Sequence, residues 1–266
     1  MIPKKIHYCW LSGDPMPPPL RLCMATWREV MPDYELVKWD AARADLASSA
    51  FALEAFRARN WAFASDYVRL YALHSEGGIY LDTDVAVKRR FEDFIGYDCF
   101  TAVEYHPKVV RQHNTAALLK SDGSSKMPGT GKPGIGLQAA VLAGVRGHPF
   151  LADCLEHYRG RRYEPPDGPA FDGLIAPDIY AMVAERHGFR YVDERQLLRG
   201  NMLVLPSEIF AGNEEQATPK SHAVHHCAAS WRKAPKGGTL RRAAKSLYRS
   251  LRLGERPWKS QSSMKP

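Results

Sequence analysis

The sequence predicts an α/β fold with a largely parallel sheet flanked by helices. Three observations point there. Short apolar runs alternate with longer segments of helical period through the first ninety residues, the order expected when strands are joined by crossover helices. The runs at residues 2–10 and 79–81 each end in polar or turn-forming residues, at the edge where ligands of such sheets bind. With 266 residues, 45% hydrophobic and 25% charged, the chain has the make-up of a globular core.

The elements follow in order. Residues 2–10 read as a first strand with Ile6, Tyr8 and Trp10 on one side. A proline-rich turn over 15–19 leads into a helix over 20–30. Residues 34–39 form a second strand, and Asp40 caps a mostly helical, alanine-rich stretch over 41–59. The next helix has Phe63, Tyr67, Leu70, Tyr71 and His74 at spacings of three and four. Asp66 and Arg69 interrupt this stripe three residues apart and project from one side. Gly77 and Gly78 stop the helix, and Ile79, Tyr80 and Leu81 form a short strand. Residues 97–105 hold another strand. The polar, glycine-rich segment 106–136 is long enough to suggest a functional loop or mobile lid. Helices are predicted over 137–145, 149–158 and 177–187, and strands over 202–205 and 223–226.

Asp82 and Asp84 follow the 79–81 strand. Residues two apart in extended chain point to the same side, so the two carboxylates converge. Their repulsion is relieved by a cation, and hard oxygen ligands suit Mg²⁺ or Mn²⁺ holding a substrate's phosphates. An isolated Asp-x-Asp is a common turn. The preceding strand, the double glycine and the Asp66/Arg69 helix give this one its context.

With these residues in place, FASDYVRLYALHSEGGIYLDTDV resembles the core of the DXD sugar-transferase family, glycosyltransferase family 32. That family holds capsular-polysaccharide and fungal Golgi mannosyltransferases, with the large glucosylating toxins as distant relatives. IPKKIHYCWLSG near the start and HAVHHCAASW at 222–231 match as well. The resemblance implies a GT-A-type, Rossmann-like sheet and a metal-dependent, retaining transfer of a hexose from a nucleoside-diphosphate sugar to a glycan or lipid-linked glycan. It implies that Asp84 binds the metal directly and that Asp82 contacts the metal shell or the ribose. Asp66 and Arg69 would hold the donor sugar, and Trp10, otherwise a core tryptophan, would stack on the base. Of the adjacent His225 and His226 only one can face the metal, and His225 matches the stronger family position. Ser230 and Trp231 would reach the diphosphate. Gln138 stands where the family usually has Asn, on the sugar side, and Ala176, Pro177 and Asp178 replace a family segment on the acceptor side.

Two other activities compete. A phosphodiesterase or pyrophosphatase would use the same aspartates but needs a further cluster for a second metal. A catalytically inactive nucleotide-sugar-binding module would have little use for Asp82, Asp84 and His225 together.

Composition bounds the setting. The five cysteines are scattered and form no CxxC pair, so reduced thiols in a cytoplasmic protein are expected. No apolar segment follows Lys4 and Lys5, so a leader peptide is not expected. The net charge of +8 resides entirely beyond residue 235, where nine Lys/Arg face Glu255 alone. A transferase domain over 1–235 and a basic amphipathic tail over 236–266 follow from that asymmetry. The helical period over 239–253 suggests attachment to an anionic membrane surface on the cytoplasmic face. Nothing in the chain supports base recognition in a nucleic acid.

Overall fold

The computed structural model describes residues 1–226. The predicted tail helix, Ser230 and Trp231 lie outside the described residues, as does the proposed domain boundary at 235.

The first strand, β1 (Lys5–Cys9), pairs in parallel with both β2 (Glu35–Trp39) and β3 (Gly78–Leu81). Helix α1 (Pro18–Val30) joins β1 to β2 and starts on prolines, whose fixed φ suits a first turn. Asp40 caps a turn, its Oδ1 accepting from the N–H groups of Ala42 and Arg43 at 3.2 and 3.1 Å. The predicted helix over 41–59 is thereby shortened to α2 (Ala50–Arg57), capped by Ser49, which accepts from Ala52 N–H. Helix α3 (Trp61–Glu76) follows and is buried along most of its length.

The sheet continues β3–β7–β5–β9–β8, with β5 at Cys99–Tyr105, β7 at Val141–Gly144, β8 at Gln196–Leu198 and β9 at Met202–Leu205. Strand β6 (Ile135–Leu137) pairs with β5 at one end. Five of these eight strands run one way. The exceptions include β7, which lies antiparallel between β3 and β5. The stretch predicted as a helix over 137–145 is instead the end of β6, a bend and β7. AAVLAGV at 139–145 is a continuous apolar run, and such a run fits a doubly buried strand as well as a helix. Pairing on both sides decides for strand.

Helices α2, α3, α5 (Pro149–Arg159) and α6 (Ala176–Ala184) cover one face of the sheet, around Phe51, Leu70, Phe150 and Tyr180. Helix α1 covers the other, with Trp27 fully buried beside Phe91 and Phe100. A second, small sheet orders β10 (Phe210–Ala211), β11 (Ala223–His225) and β4 (Val85–Val87). Strands β4, β8 and β10 are too short to carry a period and were not predicted.

The 106–136 segment has structure of its own. Helix α4 (Pro107–Gln112), a 3₁₀ turn at Thr115–Leu118 and a bridge between Leu119 and Ser125 subdivide it. Lys132 is buried, donates from Nζ to Thr130 O at 2.6 Å and stands over the Tyr191 ring. Lys132 thus ties the loop to itself through the oxygens of Met127 and Thr130, so the segment has internal structure that its composition does not suggest.

The junction between α3 and β3 is tight. Gly77 has φ +68° and Gly78 φ +130°, both costly for any residue with a Cβ. A Cβ on Gly78 would lie 2.8 Å from His7 Nε2. That closeness lets the buried His7 ring donate from Nε2 to Gly77 O at 2.8 Å while Nδ1 accepts from the Trp39 indole at 3.0 Å. His148 is used in the same way: Nδ1 accepts from Phe150 N–H at the start of α5, and Nε2 donates to Gly200 O at 2.8 Å. Both rings are neutral, and burial pushes both below the ordinary histidine range. Protonation would set a second N–H against an existing donor. The unfolded chain takes up protons at these rings below about pH 6.5, where the folded chain does not, so stability falls as pH drops through that value. The urea midpoint should decline between pH 7 and 5. His148→Asn keeps a cap acceptor and should remove part of that decline; an unchanged pH profile in this variant would mean that His148 is not one of the groups responsible.

Candidate active site

Two strand pairings build the site. Leu81 ends β3, and Asp82 closes a turn in which Val85 N–H donates to Asp82 O at 3.0 Å. The chain then enters β4, which runs antiparallel to β11 with His225 opposite Val85. That register carries His225 to the residue beside Asp84. His225 Nε2 lies 3.3 Å from Asp84 Oδ1. Ligand atoms of Asp82, Asp84 and His225 all fall within 4.8 Å of one another, and among the described residues no other group of three such side chains does so. Two carboxylates and one imidazole form a mixed oxygen/nitrogen donor set suited to a divalent ion of the Mn²⁺ or Mg²⁺ kind. His226 faces elsewhere. Its backbone N–H donates to Asp84 O at 3.0 Å, and its ring lies 3.7 Å from Glu214.

Beside the aspartates sits Arg69, 4% exposed. A single nitrogen, Nη2, lies 3.0 Å from Asp66 Oδ1, 3.4 Å from Asp82 Oδ1 and 3.0 Å from Ser65 Oγ. Nη1 donates to Ala139 O at 2.8 Å and Nε to Ser65 O at 3.2 Å. The guanidinium also rests over the Tyr80 ring, 4.8 Å from its centre. Asp66 and Asp82, sixteen residues apart, thus share one cation. Burial pushes the Asp66 carboxyl up to about 7; Arg69 opposes the shift and Asp82 adds to it.

Sequence reasoning missed several members of this network. Tyr80 donates from its hydroxyl to Asp82 Oδ1 at 2.8 Å. The signal was present, since Tyr80 and Asp82 are two apart in extended chain and share a side. Ser65 buttresses Arg69, and the carbonyls of Ala139 and Ala140 receive Arg69 Nη1 and the Asp82 N–H. Cys9 lies close by, its thiol pushed up to about 12 by burial and so unreactive.

The remaining candidates are placed as follows. Trp10 comes directly after β1 at the same sheet edge. It is partly exposed, and its indole donates to Asp14 O at 2.7 Å. Gln138 adjoins the 139–140 carbonyls, but its side chain is buried, with Phe210 O and Ala140 N each at 3.4 Å. Asp178 lies at the start of α6 and accepts from Ile175 N–H at 3.2 Å. Burial pushes its carboxyl up to about 6. The four described cysteines are free thiols, and among the described residues no helix is long and apolar enough to cross a membrane.

Residues 17–101 match the family described as "Glycosyltransferase sugar-binding region containing DXD motif". The matched stretch holds Asp66, Arg69, Asp82 and Asp84. It confirms the resemblance to DXD glycosyltransferases and supports glycosyltransferase activity. Comparison with curated sequences gives no match. Among solved structures, the chain is similar to the PaToxG glycosyltransferase at 16% identity and a TM-score of 0.46, covering 70% of this chain and 69% of that one. It is similar to the galactosyltransferase LgtC with donor and acceptor sugar analogues at 14% and 0.46, covering 92% and 95%. It is similar to mouse xyloside xylosyltransferase 1 at 15% and 0.44, covering 83% of each chain.

Proposed function

We propose that the chain is a metal-dependent, retaining glycosyltransferase that moves a hexose from a nucleoside-diphosphate sugar to a hydroxyl of a glycan or lipid-linked glycan. The observation that carries this reading is the meeting of Asp82, Asp84 and His225 at the sheet edge, one guanidinium away from Asp66. Asp84 and His225 hold the ion, with Asp82 in its shell. When bound, Mn²⁺ or Mg²⁺ supplies Lewis-acid neutralisation of the departing diphosphate. Asp66 and Arg69 orient the sugar hydroxyls, and Trp10 offers a face to the base, with Ser230 and Trp231 assigned to the diphosphate on the sequence match. Gln138 is assigned to the sugar side. The acceptor hydroxyl attacks from the leaving group's face, so the C1–O bond to phosphate breaks as the new one forms on the same side. The basic residues beyond 235 support a place on the cytoplasmic membrane surface, where a lipid-linked acceptor would lie. A two-metal hydrolase is less well supported, because among the described residues there is no second ligand cluster.

The test is a thermal-shift panel of nucleoside-diphosphate sugars with and without Mn²⁺, followed by product analysis. Specific donors should raise Tm only with the metal. Asp66→Ala should weaken a donor sugar at least tenfold while leaving the free diphosphate's affinity unchanged. Equal loss for both ligands would make Asp66 a structural residue.

A further inference from the structure

A cleft of about 220 Å³ opens beside Asp66, between α2, α3, α6 and the irregular 160–175 segment. The 160–175 segment is tied down over it. Tyr163 accepts from Asn60 Nδ2 at 2.8 Å, its N–H donates to Glu54, and Arg162 pairs with Glu54. The interior is aromatic and aliphatic, with Phe51, Phe63, Phe171 and Ile179. The rim carries Arg161, Arg162, Glu164 and Asp172. Counting Asp66, the carboxylates in the lining outnumber the guanidinium groups, and Arg161 is already paired with Asp172 at 2.9 Å. An anionic ligand group is therefore poorly matched. Arg161 does keep one N–H, Nε, buried without an acceptor.

Asp66 belongs to both the cleft and the Arg69 bridge to Asp82. A sugar held by its diphosphate at Asp82 and Asp84, with a hydroxyl on Asp66, would direct a substituent into the cleft. The group that fits is neutral, ends in a methyl for the aromatic interior and offers an oxygen to an N–H donor at the wall.

Resting on the transferase reading above, we infer that the donor sugar is an N-acylated amino sugar, with its acyl group seated in the cleft between Asp66 and the 160–175 segment. Ala170 lines the cleft from the exposed segment, so filling the space there leaves the core intact. The experiment measures binding by calorimetry, with Mn²⁺, for matched pairs that share a base: UDP-glucose against UDP-N-acetylglucosamine, UDP-galactose against UDP-N-acetylgalactosamine, and the plain GDP- and dTDP-hexoses. Wild type should favour the acetamido member of at least one pair by tenfold or more. Ala170→Trp should bring that preference to within about twofold while plain hexose donors bind as before. Plain donors binding as tightly as acetamido donors in wild type would overturn the acyl assignment and leave the transferase reading standing. Binding of no nucleotide sugar in the panel would overturn both. A tenfold preference that survives Ala170→Trp in a folded protein would overturn the placement of the acyl group in this cleft.

Discussion

Asp84→Ala should abolish sugar transfer in a protein that remains folded. The expected loss is at least a thousandfold, about 4 kcal/mol of transition-state stabilisation. Asp84 contributes to the fold through its carbonyl, which accepts from His226 N–H, and that bond survives the substitution. The side chain contributes a carboxylate close to that of Asp82, and such a pair repels when no cation lies between. Without metal, relief of that repulsion is set against loss of the 3.3 Å contact to His225, so the variant should unfold near the wild-type temperature. With Mn²⁺, wild type should gain Tm and the variant should not. The two measurements separate a metal ligand from a structural residue. A folded Asp84→Ala protein that turns over donor at the normal rate would end the metal assignment.

The largest effect on stability should come from Arg69→Leu. Surface pairs such as Lys4–Asp33, whose side chains are 47% and 41% exposed, contribute at most about 1 kcal/mol. Arg69 is different in kind. Its side chain is 5% exposed and serves Asp66, Asp82, Ser65 and the Ala139 carbonyl at once. Removing one partner of a buried charge pair costs about 3–5 kcal/mol, because the other charge is left uncompensated. An unfolding free energy lowered by that amount, read from urea denaturation, is expected together with loss of donor binding. Arg69→Lys restores the charge but not the planar fork, so it should recover only part of the stability. A Leu variant as stable as wild type would mean that the bridge carries no net energy.

The site was legible where chemistry is written in side chains at short spacing. Asp66 with Arg69, and Asp82 with Asp84, are adjacent on one helix or one strand end, and periodicity alone placed them. His225 was legible only through family resemblance, because what brings it to Asp84 is the pairing of β11 with β4, a three-residue strand without a readable period. Most of the helices and the strands β1, β2, β3, β5, β9 and β11 could be read from their patterns. The 137–145 run could not, since an apolar stretch buried on both sides looks alike as strand or helix until its neighbours are known. The internal structure of the 106–136 segment was hidden for the opposite reason: its polar letters conceal a buried lysine that closes on its own loop.

Strand β7 has a consequence for how such a site changes over generations. Running opposite to β3, it delivers residues 139 and 140 to the edge of the candidate site, and what they present there is peptide oxygen. A carbonyl is the same in every amino acid, so mutation cannot remove these two contacts by exchanging a side chain; it can only displace them, by forcing a larger residue into a filled space. Ala139 and Ala140 are buried, so drift at these positions is limited to small apolar side chains. Part of the bracing behind Arg69 and Asp82 is thus inherited through the path of the backbone. Two descendants could differ at both positions and still hold the guanidinium and the aspartate in the same place.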